Sequence, residues 1–195
     1  MSPDPRSFFS LYGVVLIIFV AISFATNSTL ARISYDYGAT PLSVVTWRTA
    51  LAAFSVLVIL KLWKVPIVLP VRIRWTAIGM GALVALYSYG LLGSIQHIPV
   101  ALAVLTFYLY PILTSIGSWA LGQERMTFRI MVCLIAAFIG LGTALDIVGS
   151  FNFVGISMAS GAAVVFTVIL LITNNLVAGQ DSRPISLHML SSATV

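Results

Sequence analysis

Seven apolar stretches alternate with short polar links along this chain, and their lengths carry the first inference. Phe9 to Leu30, Pro41 to Leu60, Trp75 to Ile95, Val100 to Leu121, Phe128 to Ile147 and Phe153 to Val177 each run apolar for about twenty residues or more. At ~1.5 Å rise per residue, such a helix crosses the ~30 Å hydrocarbon core of a bilayer. A seventh run starts after Ser182, Arg183 and Pro184 and reaches Val195. As a helix it extends only ~18 Å, short of that core, so the chain is expected to be truncated. At the amino end, MSPDPRSFF leads into the first run without a small-x-small cleavage pattern, which makes that run a retained span.

Local signals refine these spans. Pro41 suits the first turn of the second helix. Pro111, inside the fourth run, frees the carbonyl of Phe107 and is expected to bend the helix there. Two runs carry small residues every fourth position, Ala136, Gly140 and Ala144 in the fifth and Gly155, Ala159 and Ala163 in the sixth. That spacing lets membrane helices approach closely.

Composition agrees with the pattern and removes the soluble classes. Of 195 residues, 60% are hydrophobic and 8% charged, with mean hydropathy +1.09; no water-facing surface can be built from that. The net charge of +5 does not indicate nucleic acid, because the cations sit in the links. Arg6, Lys61, Lys64, Arg72, Arg74, Arg125, Arg129 and Arg183 fall on one side of the alternating topology and Arg32 alone on the other. That asymmetry puts the amino terminus in the cytoplasm and the chain in the inner (plasma) membrane as a multi-pass protein. Cys133 is the single cysteine, so no intrachain disulfide forms.

Candidate chemistry is sparse. Arg48 is the one charge well inside a span; it is either a substrate contact or a side chain that snorkels to the outer interface or bonds neighbouring carbonyls. Thr106, Tyr110 and Thr114 form a polar stripe beside Pro111, readable as a pathway wall or as interhelical hydrogen bonding. Asn27 with Ser23, and Tyr87 with Ser94, carry the same two readings. Glu124 and Arg125 read as a local ion pair clasping a cytoplasmic turn, and Asp146 as a solvated helix end, so no midplane carboxylate is offered for proton coupling. His97 and His188 stand apart from any HExxH pattern, and no G-x-S-x-G frame or Gly-rich phosphate loop occurs. No enzyme, metal site or cofactor is expected.

A weak internal repeat is present. Gly13, Ala21 and Phe24 recur as Gly155, Ala163 and Phe166, and Pro41-Leu42-Ser43 as Pro184-Ile185-Ser186. The offset equals five spans, and an odd number of spans per copy forces the second copy to enter from the opposite face.

The strongest match to a known family lies in the fourth and fifth runs, where Pro111, Thr114, Trp119, Glu124, Arg125, Thr127, Arg129 and Gly140 stand at characteristic spacings. FATNSTLAR, with Asn27 and Arg32, and Arg48 in the second run extend it upstream. On these residues the chain resembles the EamA-like branch of the drug/metabolite transporter superfamily from about Leu11 to Ala144, and the remainder resembles the opening of a second repeat. It departs from the pattern at Gln123 and Cys133, where glycine is usual, and at Phe24-Ala25, where Trp-Gly is usual. The resemblance implies an all-α polytopic membrane helix bundle, one five-helix repeat over residues 1–148 and an incomplete inverted repeat over 149–195. It further implies efflux of small metabolites such as amino acids by alternating access, with Glu124, Arg125 and Gly140 as structural motif residues. The expected partners are a small-molecule substrate, the lipid bilayer and the missing second repeat; a homodimer of half-transporters, or a non-transporting subunit or remnant, are the alternatives.

Overall fold

In a computed structural model of the chain, residues 5–122, 152–174 and 181–194 are described, with 131–132, 135–136, 139 and 143; side chains are described from residue 13 onward. Among the described residues no strand occurs. The helices are α1 (Pro5–Asp36), α2 (Pro41–Leu62), α3 (Val71–Ser94), α4 (Val100–Phe107), α5 (Tyr110–Ala120), α6 (Phe153–Ile172) and α7 (Ser182–Ser192). Among the described residues five helical stretches are long and apolar enough to cross a membrane, with Val100–Ala120 counting as one span. The all-α bundle expected from the apolar runs is what the chain forms.

The helix ends follow local chemistry. Thr40 Oγ1 accepts the N–H of Ser43 at 3.2 Å, and Pro41 occupies the first turn of α2, where a missing N–H leaves nothing unpaired. At the other end Lys64 adopts a left-handed φ of 53°, and the N–H of Val65 returns to the Leu60 carbonyl at 3.0 Å. That closes an otherwise orphaned carbonyl. Asn152 Oδ1 accepts from Val154 N–H at 2.9 Å to open α6, and Asp181 accepts from Arg183 N–H at 3.0 Å to open α7.

Pro111 does more than bend its span. The helix stops at Phe107, the Leu109 N–H turns back three residues to the Thr106 carbonyl at 3.2 Å, and a new helix starts at Tyr110. The break at Tyr108 and Leu109 is where the proline ring cannot accommodate the preceding turn.

α3 is the centre of the bundle, with α2, α6 and α7 packed against it. The expected small-residue face of α6 lies at this seam. Ala159 and Ala163 are fully buried, and a Cβ added at Gly155 would stand 2.7 Å from Ile98 Cγ2. Gly90 of α3 answers from the other side, where an added Cβ would stand 3.1 Å from the Met158 carbonyl oxygen. Lower on α3, Ala77, Met80 and Val84 make a second core with Ile169 of α6 and Ile185 of α7. α1 differs: Val14 to Ile22 is exposed, and it touches α2 and α4 only lightly.

Ala136 is exposed. Gly140 and Ala144, the Glu124–Arg125 clasp, Cys133, Asp146 and the expected division after residue 148 all lie outside the described residues.

Candidate functional site

Between α1 and the α4–α5 break lies a cavity of about 810 Å³, within the ~300–1,000 Å³ usual for small-molecule sites. α1 contributes Phe24, Ser28 and Thr29, α4 contributes Val104 and Phe107, and the break contributes Tyr108. Tyr87 of α3, Tyr110 of α5 and Phe166 of α6 also line it. Phe166 is the hub of an aromatic cluster, its ring centroid 4.9 Å from Tyr110, 5.0 Å from Tyr87 and 5.4 Å from Phe107. These are favourable ring–ring separations.

The helix break determines part of this lining. Two positions apart on an unbroken helix, side chains diverge by ~200°. Tyr108 and Tyr110 nevertheless hold their ring centroids 6.3 Å apart, and both line the cavity. Among the described residues no charged side chain lines it. Ser28 and Thr29 donate their hydroxyls to carbonyls of α1 at 3.3 and 3.0 Å, leaving acceptor lone pairs. The hydroxyls of Tyr87, Tyr108 and Tyr110 have no partner among the described residues.

Of the residues singled out in the sequence, Tyr87 and Tyr110 line this cavity. Asn27 does not, although its neighbour Ser28 does; it is half-buried, and its amide has no partner among the described residues. Thr106 is buried and donates to the Leu102 carbonyl of its own helix at 2.8 Å. Thr114 reaches across to α6, donating to Thr167 Oγ1 at 3.5 Å, while Thr167 itself lies 3.4 Å from the Tyr110 carbonyl and 2.9 Å from that of Ala163. Pro111 sets the break and is not among the residues that line this cavity.

Arg48 stands ~10 Å inside α2 from Pro41, and Arg48 Nη2 donates to Ser88 Oγ on α3 at 2.7 Å. Among the described residues it has no carboxylate partner; the ion pair present there, Arg183 with Asp181 at 4.0 Å, is exposed. Two further ties join α1 to the end of α3: Tyr35 Oη donates to the Leu92 carbonyl at 3.0 Å and Arg32 Nη1 to the Ile95 carbonyl at 2.7 Å. Both answer carbonyls at a helix C-terminus, which lack intrahelical donors and attract positive charge.

Phe24, Phe107, Tyr108 and Phe166 were not among the sequence candidates, which were chosen for polarity. One signal pointed to two of them: Phe24 and Phe166 occupy equivalent places in the internal repeat.

The sequence profile of the EamA-like transporter family matches residues 11–146. Over 140 residues the chain is 26% identical to a protein of Synechocystis sp. described as uncharacterized transporter sll1319; the match covers 59% of this chain and 43% of that protein. The chain thus spans less than half the length of the curated relative. No solved structure matches it.

Proposed function

Because the chain belongs to the EamA-like transporter family, we propose that it moves a small amphipathic metabolite outward across the inner (plasma) membrane, along the cavity between α1 and the α4–α5 break. The observation that carries this reading is the cavity itself, a ligand-sized space among membrane-spanning helices, beside the discontinuous helix that transporters use at their sites. Its amino terminus is cytoplasmic by the distribution of Lys and Arg between alternate links. Transport runs by alternating access between two inverted repeats, with residues 149–195 opening the second. Support for that relation comes from Phe24 and Phe166, matched in the repeat and lining one cavity.

The test is mass spectrometry of the medium around cells that express the chain, against cells carrying an empty vector. At least one metabolite accumulates outside the expressing cells, and Tyr110→Ala lowers it at equal membrane abundance. A medium indistinguishable from that of the empty vector overturns the reading.

A further inference from the structure

The cavity lining also constrains what can occupy it. Part of the lining is aliphatic, Leu16, Ile17 and Val20 of α1 with Val104 and Leu105 of α4, and a second part is aromatic. Here four rings, those of Tyr87, Phe107, Tyr110 and Phe166, meet at centroid separations from 4.9 to 6.1 Å. Tyr108 and Phe24 add two more rings to the lining. Faces and edges at these separations attract a further ring by offset stacking or edge-to-face contact, an interaction aliphatic groups do not share.

The polar groups narrow the class further. An anion would need a cation, and among the described residues none lines the cavity; Arg48 on α2 is engaged with Ser88 and does not line it. A cation would find ring faces but, among the described residues, no carboxylate to accept the charge. What the cavity does offer is a set of uncommitted hydroxyls. A half-buried tyrosine hydroxyl ordinarily finds a hydrogen-bond partner, yet those of Tyr87 and Tyr110 have none among the described residues. Their donors, with the acceptor lone pairs of Ser28 and Thr29, match a ligand carrying one or two neutral hydrogen-bonding groups.

We infer that this cavity is selective for an uncharged molecule bearing an aromatic ring, with the ring held in the cluster around Phe166 and a neutral polar group meeting the hydroxyls of Tyr87 and Tyr110. The inference rests on the reading of the cavity as the transport path and adds the substrate class.

Binding of tritiated N-acetyltryptophanamide to the purified full chain in lipid nanodiscs tests it, with empty nanodiscs as background. Saturable binding is expected, displaced by unlabelled N-acetyltryptophanamide at least ten times better than by N-acetylleucinamide, which keeps the polar groups and replaces the ring. It is also displaced at least ten times better than by N-acetyltryptophan, which keeps the ring and adds a carboxylate. Phe166→Leu and Phe107→Leu, each confirmed monodisperse, weaken binding about ten-fold. Absence of saturable binding, or equal displacement by either competitor, overturns the inference on the unmodified chain, whatever the variants do. Should cells export a metabolite while nanodiscs bind no N-acetyltryptophanamide, the substrate class fails and the transport reading stands; binding without any exported metabolite is the reverse case.

Discussion

Phe24 on α1 and Phe166 on α6 line the same cavity although 142 positions separate them in the chain. Each therefore controls the width of the proposed path from a different helix. Phe24→Trp and Phe166→Trp are expected to narrow it and to lower export of the accumulating metabolite several-fold, at unchanged membrane abundance. Phe19→Trp, on the same helix as Phe24 but 67% exposed and away from the cavity, leaves export unchanged. Mass spectrometry of the medium reads all three.

The Arg48–Ser88 bond predicts a stability effect. If the guanidinium serves to tie α2 to α3, Arg48→Ala and Ser88→Ala are non-additive, with a coupling of about 0.6 kcal/mol, the average between membrane helices, and at most ~1.7 kcal/mol. Unfolding of single and double variants in mixed micelles measures it. A substrate contact would behave differently: Arg48→Ala would abolish export while Ser88→Ala left both stability and export intact.

Close packing of α7 makes a sharper prediction. A Cβ at Gly81 would run into the Met189 carbonyl oxygen and approach Ser192 Cβ to 2.7 Å, whereas one at Gly79 meets nothing within 4 Å. Gly81→Ala is expected to cost about 1–3 kcal/mol as an overpacked contact. Gly79→Ala should be neutral or stabilising by up to ~1 kcal/mol, since alanine is the better helix former. The same unfolding measurement distinguishes the pair, and equal effects would show that α7 does not sit on Gly81.

Much of the fold was legible because membrane spans announce themselves by length, and the start of α2 by Pro41; the caps at Thr40, Asn152 and Asp181 came only with the structure. The Gly155-Ala159-Ala163 face was also readable, since a four-residue spacing of small side chains has meaning on any helix. The site was less so. Pro111 signalled a disturbance, but only the three-dimensional break shows that Tyr108 and Tyr110 turn to one side together. Ser88, the partner of Arg48, lies forty residues away and nothing local marks it. Tyr87 and Tyr110 were legible by their hydroxyls, and Phe24 and Phe166 by the internal repeat. Phe107 and Tyr108 were not, because in a chain this apolar a ring by itself carries no signal until helix crossing decides which rings converge.

Water access to the cavity tests the central claim most directly. On a Cys133→Ala background, Thr29→Cys and Val104→Cys place single thiols in the lining, and Phe19→Cys places one on the exposed face of α1. With the full chain in membrane vesicles, a charged, membrane-impermeant methanethiosulfonate is predicted to label positions 29 and 104 and to leave position 19 unmodified. Labelling at 29 and 104 no faster than at 19 would mean that the cavity belongs to the lipid phase, and would contradict its role as a transport path.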